Sequence, residues 1–351
     1  MMKILVFNPS FIGDCILTTP LLKYLKNKIP GCKIYFCVRP ESAPLFKNLD
    51  FIDEVVVYDK RKKDKGLKGL IQFAIKLNSI GFDKVVSVHK SFRSSLVIRM
   101  IKANIKVGFN EATLPSVYTH RVCRDMSLHE IERNLMLASK IINGFDLEEA
   151  KSIAGKPQIS IDETFFSKLH KYLDIAANGK KVVAFAPTSN WKTKMWPAEK
   201  YAFLVNKLYE KGVYSLVFAA KSEEDDYLRF KRFVKVPFFD FALKTSIAEL
   251  SSAIKSSDLL VCNDSAPLHM GVAHNRKILC FFGPTVPAFG FYPYTDDAEI
   301  VEVKNLYCRP CHIHGKNSCP EKHFKCMNDI DENVVLEKIL AKLGINETIN
   351  C

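Results

Sequence analysis

The chain has 351 residues, of which 48% are hydrophobic and 25% charged, and a formal net charge of +13. That length exceeds one usual core and predicts two domains of roughly 150 residues each, and no apolar run reaches the roughly 18 to 20 residues needed to cross a bilayer. The charge calls for a polyanionic neighbour: nucleic acid, an anionic lipid surface or a phosphorylated glycan. Nucleic acid is set aside, because the sequence has no two-Cys, two-His finger spacing, no RNA-binding aromatic signature and no basic helix with heptads.

The opening MMKILVFNPSFIGD reads as a buried strand and a turn, without the small-residue cleavage site of a signal peptide, so a cytosolic location is expected. In chain order the pattern then predicts a strand Lys3–Asn8, a helix Asp14–Asn27, strands Lys33–Val38 and Glu54–Tyr58, a helix Leu67–Ile80 and a strand Lys84–Val88. A strand Ile105–Phe109 and a helix Leu128–Ile142 close this half. The polar stretch Asn143–Asp162 reads as a linker.

A second series follows: helix Glu163–Ala176, strand Lys181–Ala186, helix Pro197–Lys211, strand Tyr214–Ala219, helix Ser246–Ser256, strand Leu259–Cys262, helix Ser265–Ala273 and strand Ile278–Phe282. Such alternation predicts an α/β fold of two doubly wound, Rossmann-like domains facing across a cleft, at 1–155 and 156–330, with a C-terminal helix and tail at 331–351. Ligands in such sheets sit just after the strands.

Three post-strand stretches carry the chemistry. At Cys262-Asn263-Asp264-Ser265-Ala266-Pro267 a buried strand runs into a helix whose Pro lies in the first turn, where its missing N–H costs nothing. Free amides there form an anion site for a diphosphate; the alternative is plain N-capping by Asp264 or Ser265. At Thr188-Ser189-Asn190-Trp191-Lys192-Thr193-Lys194, hydroxyls and ammonium groups suit the charge developing on a departing nucleotide diphosphate. At Asn8-Pro9-Ser10-Phe11-Ile12-Gly13-Asp14, Gly13 allows a close backbone approach. The Asp14 carboxylate could there take the proton of an attacking hydroxyl, with an N-cap as the alternative.

Together these stretches resemble glycosyltransferase family 9, the ADP-heptose:lipopolysaccharide heptosyltransferases, over nearly the full chain. The matching residues are Gly13-Asp14 with Thr18-Thr19-Pro20-Leu21, Asp83 with His89 and Arg93, His129-Glu130 with Arg133-Asn134-Leu135, Lys194 with Trp196-Pro197, Asn263-Asp264-Ser265 with His269, and Gly283-Pro284-Thr285. The resemblance implies a GT-B fold, inversion at the anomeric carbon and no metal or cofactor required for catalysis. It makes Asp14 the general base. Thr188, Ser189 and Lys194 become the diphosphate contacts, Asp264, Ser265, Ala266 and His269 the helix-start donor contacts, with Glu223 and Thr245 also in the donor site. Ala266 stands where the family usually has Gly, and its methyl group restricts close approach of the phosphate.

On the acceptor side the resemblance implies Ser10 and Gly13, the basic run Lys60, Arg61, Lys62 and Lys63, and His89 and Arg93. These would hold the acidic sugars and phosphates of a lipid A-Kdo or already heptosylated acceptor; the overall likeness leans to the second heptose addition. The same charge would keep the enzyme peripheral at the anionic inner face of the cytoplasmic membrane. The alternatives are a GT-B transferase using another nucleotide sugar and a nucleotide-binding protein without turnover.

Eleven cysteines are present. In a reducing cytosol most are small buried hydrophobes. Cys308, Cys311, Cys319 and Cys326, with His312, His314 and His323 interleaved, have the ligand types of a structural zinc site, against a reduced, purely structural cluster as the alternative.

Overall fold

In the computed structural model, which describes residues 1–345, the two alternating series form two six-stranded parallel sheets. The chain divides into two compact units, Met1–Ser160 and the residues from Ile161 onward. The first unit contains β1 (Lys3–Phe7), α1 (Ile12–Ile16), α2 (Thr19–Lys28), β2 (Lys33–Val38), β3 (Glu54–Val57), α3 (Gly66–Ile80), β4 (Lys84–Ser87), α4 (Phe92–Met100), β5 (Ile105–Phe109), β6 (His120–Val122), α5 (Glu130–Met136) and α6 (Leu147–Ala154). Its strand order is β3-β2-β1-β4-β5-β6. Strand β1 is apolar almost throughout because both its faces are covered; its Leu5 and Phe7 pack with Tyr58, Phe73, Val85 and Val97. From β1 the chain winds outward to β3 and then restarts on the other side at β4. The switch point therefore lies between β1 and β4.

The second unit repeats this plan. It contains α7 (Glu163–Ala177), β7 (Val182–Ala186), α8 (Ala198–Glu210), β8 (Tyr214–Val217), α9 (Glu224–Phe233), β9 (Phe239–Asp240), α10 (Ile247–Lys255), β10 (Leu259–Asn263), α11 (Ala266–Ala273), β11 (Lys277–Phe281), β12 (Ala298–Val301), α12 (Lys325–Asn328) and α13 (Glu332–Leu343). The order β12-β11-β10-β7-β8-β9 puts its switch point between β7 and β10. The C-terminal helix α13 belongs to this unit's core, where Val335, Ile339 and Leu340 join Tyr201, Leu204 and Leu208 of α8. Residues 346–351 of the expected tail, with Cys351, lie outside the described residues.

Several expectations are corrected. The helix expected over Asp14–Asn27 is two, α1 and α2. Pro20 has no N–H to give the Ile16 carbonyl, and the Thr19 hydroxyl takes that carbonyl instead at 2.8 Å. The carbonyl of Leu17 at the break is held by Asn134 Nδ2 at 3.2 Å.

The polar stretch expected as a linker contains α6, capped by the Asp146 carboxylate, which accepts from the Glu149 amide at 2.7 Å. Helices α4 and α9 and the short strands β6, β9 and β12 were not expected; strands of two to four residues are too short to show a period. Among the described residues no helix is long and apolar enough to cross a membrane.

Candidate active site

In the second unit, five loops gather after the carboxyl ends of the strands. Asn263 closes β10 fully buried, and its Nδ2 donates to the carbonyls of Ala186, Pro187 and Thr188 at 3.4, 3.1 and 3.3 Å. Its Oδ1 accepts from the Trp196 amide at 3.0 Å and from the Tyr201 hydroxyl at 3.1 Å. One side chain thus pins the loop after β7 to the end of β10 across the switch point.

On that frame, Lys194 Nζ meets Asp264 Oδ2 at 2.6 Å with both side chains largely buried. The same oxygen accepts from Thr285 Oγ1 at 2.8 Å. Thr188 Oγ1 donates to Glu223 Oε2 at 2.6 Å, and that oxygen also accepts from the Ala220 amide at 3.1 Å. Ser189 and His269 are buried beside them.

Helix α11 begins without a side-chain cap. Ser265 is its N-cap in extended backbone, yet no side chain accepts from the first amides, and Ser265 Oγ donates back to the Asn263 carbonyl at 3.3 Å. The capping alternative is thereby removed for both Asp264 and Ser265. Pro267 has no N–H and the Leu268 amide donates to the Ser265 carbonyl at 3.0 Å, so the Ala266 amide is the one left for an anion, strengthened by the helix dipole.

Thr245 is less engaged. Its hydroxyl turns back to the Phe241 carbonyl at 3.3 Å, and the adjacent start of α10 is closed by its own capping box, with the Ser246 amide donating to Glu249 Oε2 at 2.6 Å.

In the first unit, Asp14 lies in α1 after β1, and Ser10 Oγ donates to its Oδ2 at 2.5 Å. Gly13 lies inside α1, its carbonyl taken by the Leu17 amide. The Pro9 carbonyl in the same loop accepts from Arg39 Nε at 2.9 Å and from Lys60 Nζ at 3.2 Å. Lys60 is crowded by cations: burial first, then Arg39, Arg61 and Arg93, bring its ammonium down to about 8. Burial also lowers His89, to about 3, with Lys60, Arg39 and Lys90 adding to the effect. Its ring is neutral at physiological pH, with Nδ1 2.6 Å from Ser94 Oγ. Arg61, Lys62 and Lys63 are exposed on a turn whose amides at 61 and 62 donate to the Asp59 carboxylate at 3.3 and 3.0 Å.

Arg93 donates to Tyr58 Oη at 2.7 Å and to the carbonyls of Asp64 and Gly66, fixing the entry to α3. Arg39 and Arg124 were not singled out from the sequence. Arg39 stands directly after β2, so the end-of-strand rule could have found it. Arg124 follows β6, which was not expected, and with Arg133 it pairs the buried Glu130, whose carboxyl burial pushes up.

The zinc expectation is corrected. Among the described residues no group of three or more His, Cys, Asp or Glu is arranged to hold a metal ion. Cys326 lies in α12 within the hydrophobic core beside Met327, and burial, ahead of the neighbouring Cys311, Cys319 and Cys308, pushes its thiol up to about 12. Cys308 faces His323 Nε2 at 3.8 Å.

Two Rossmann-like parallel-sheet units, one with a phosphate-ready helix start at its switch point, define an α/β protein of the GT-B class. Residues 70–323 match the family model described as glycosyltransferase family 9 (heptosyltransferase). Lipopolysaccharide heptosyltransferase 1 of Campylobacter coli is 23% identical, over 98% of this chain and 99% of its own length. Among solved structures, the glycosyl transferase family 9 protein of Veillonella parvula superposes with a TM-score of 0.86 at 22% identity, covering 98% of each chain. The ADP-heptose lps heptosyltransferase II of E. coli gives 0.79 at 20% identity, covering 97% of this chain and 98% of its own. The chain belongs to glycosyltransferase family 9, the heptosyltransferases.

The depressed Lys60 ammonium gives a pH test. A lysine whose folded pKa lies below its unfolded value opposes folding while it is charged. Its penalty is full below pH about 8 and disappears as pH rises toward the ordinary lysine range. Lys60→Met is therefore expected to raise the melting temperature at pH 7 and to lose that gain by pH 10, read by thermal denaturation across pH; a gain independent of pH would refute the assignment.

Proposed function

We propose that this glycosyltransferase moves L-glycero-D-manno-heptose from ADP-heptose, with inversion, to the inner core of a lipopolysaccharide. The observation that carries the reading is the uncapped start of α11 beside Lys194, Thr188 and Ser189 at the second unit's switch point. Helix amides and an ammonium group are what an ADP leaving group needs as its bond to the sugar breaks. Glu223, already an acceptor of hydrogen bonds, suits a ribose hydroxyl, and Thr245, His269 and Ala266 complete the donor wall. The names of the family's relatives, among them an ADP-heptose heptosyltransferase, support the donor choice.

In this proposal Asp14 removes the proton of the acceptor hydroxyl as its oxygen attacks the anomeric carbon, and Ser10 holds the carboxylate in one orientation. Lys60, Arg39 and the exposed Arg61, Lys62 and Lys63 meet the carboxylates and phosphates of a Kdo or heptosylated lipid A acceptor, with neutral His89 and Gly13 beside them. An anionic acceptor would relieve the repulsion from Arg39, Arg61 and Arg93 that adds to burial in lowering Lys60. Charge stabilisation comes from the protein's own amides and ammonium groups, so no cofactor enters the proposed step.

A peripheral position at the inner face of the cytoplasmic membrane is part of the proposal. Helix α3 turns Leu67, Ile71 and Ile75 outward in one stripe, 69%, 37% and 61% exposed. Lys68 and Lys76 flank it, and Lys62, Lys63 and Lys65 precede it, all exposed. An apolar stripe edged with lysines is the pattern of a helix lying in an anionic interface.

Three outcomes are expected. Transfer from ADP-heptose to heptose-free and to mono-heptosylated lipid acceptors, compared side by side with other nucleotide sugars as donors, should succeed with ADP-heptose on one of the two; silence on both sinks the reading. Asp14→Asn should lower kcat by about a hundredfold or more while ADP binding measured by calorimetry stays near wild type, and near-normal turnover would remove Asp14 from the role of base. Replacing Lys60, Arg61, Lys62 and Lys63 together with Ser should raise the acceptor KM and weaken sedimentation with phosphatidylglycerol vesicles, leaving ADP affinity almost unchanged; an equal loss of ADP affinity would contradict the acceptor assignment.

A further inference from the structure

Among the described residues the cysteine-rich segment shows no group arranged to hold a metal ion, yet it is fastened to the loops after β7 and β11 at two places. On one side Arg309, its side chain buried, donates to the carbonyls of Gly283, Val303 and Thr285 and pairs with Glu302 at 2.5 Å. The Cys311 amide adds a bond to the Pro284 carbonyl at 3.1 Å. The loop after β11, Gly283-Pro284-Thr285, is therefore held residue by residue from the segment.

On the other side the backbone of Lys316 is paired to Thr193. The Thr193 amide and hydroxyl reach the Lys316 carbonyl at 3.0 and 2.9 Å, and the Lys316 amide returns to Thr193 Oγ1 at 2.7 Å. Gly315 makes this approach feasible. At φ +90° it occupies backbone space that other residues avoid, and a Cβ there would stand 3.0 Å from Trp191 Cβ and 3.1 Å from Lys194 Cγ.

Both fastenings end on one ion pair. Thr193 is the neighbour of Lys194, and Thr285 donates to the very oxygen of Asp264 that Lys194 contacts. We infer that the segment from Arg309 to Lys316 is a brace for the donor site, and that Thr285, held by Arg309, is a positioning residue that sets how tightly Asp264 keeps Lys194.

The direction of the effect follows from sharing. Two donors on one carboxylate oxygen divide its negative charge, so Lys194 retains part of its attraction for a phosphate. Without the Thr285 hydroxyl, Asp264 claims the ammonium more fully and the diphosphate competes less well.

This inference rests on the reading of the second unit as the nucleotide-diphosphate site, and the test separates the two. Calorimetry on the full chain would compare ADP with AMP, which lacks the β-phosphate. Thr285→Val should lower ADP affinity about tenfold, the scale of a charge-assisted hydrogen bond, and shrink the ADP-to-AMP affinity ratio. Thr285→Ser should restore that ratio, and Gly315→Ala, on the opposite fastening, should shrink it as well. A general loss of packing would weaken both nucleotides together, so an unchanged ratio in Thr285→Val and Gly315→Ala overturns the brace. A wild-type protein that binds ADP no better than AMP would instead overturn the diphosphate reading itself.

Discussion

The second unit depends on the buried amide of Asn263. A parallel sheet whose chain restarts at its middle leaves two unrelated loops side by side after β7 and β10; the ladder between these strands ends at the Ala186–Cys262 pair, and the register of the loops beyond it needs a further tie. Asn263 supplies that register from a position with no exposure to water, where each of its polar atoms must be satisfied. Its donors take three successive carbonyls of one loop and its acceptor takes an amide and a hydroxyl from α8 and its approach. Lys194 and Asp264 then face each other because their backbones are tied on either side of this one side chain.

The two units handle charge in opposite ways. In the second, the cation Lys194 is already paired, and the binding potential lies in the Ala266 amide and the dipole at the start of α11. In the first, burial and then the repulsion of Arg39, Arg61 and Arg93 lower the Lys60 ammonium below the range of a solvated lysine. A neutralised pair suits a ligand whose charge must be released as product, whereas crowded cations suit an acidic ligand that is gripped. Half-buried His89 contributes shape and a hydrogen bond rather than charge, since its ring is neutral throughout the physiological range.

Much of this was legible in the sequence for one reason: the period-2 and period-3.6 patterns of long elements are strong, and chemistry in such folds sits after strands. Strands β1, β7 and β10 announced themselves, and with them Asp14, Thr188, Lys194 and Asp264. What failed was short or polar. Helix α6 hid in a stretch read as linker although its Asp146 cap was visible, and β6, β9 and β12 carried too few residues for a period. Arg93, singled out for its charge after a strand, also holds the Gly66 carbonyl and the Tyr58 hydroxyl, contacts that no local pattern announces. The cysteines misled through spacing alone; the hydrophobic core that absorbs Cys326 is a tertiary fact that no local pattern encodes.

An acidic residue inside the proposed diphosphate site looks self-defeating, and the hydrogen bonds on Asp264 resolve the conflict. Its Oδ2 receives Lys194 at 2.6 Å and Thr285 at 2.8 Å, so its charge is largely answered before any ligand arrives. Without Asp264, Lys194 would sit largely buried and unpaired whenever the site is empty, a state that costs several kcal/mol in proteins. The carboxylate thus serves the empty enzyme, holding the ammonium in place for the phosphate. The α11 start, whose Ala266 amide and helix dipole are fixed in the backbone and need no counter-ion, would provide the attraction for an anionic ligand. The site is consistent only if the lysine can be shared rather than surrendered, which is why the second donor on the same oxygen matters as much as the first.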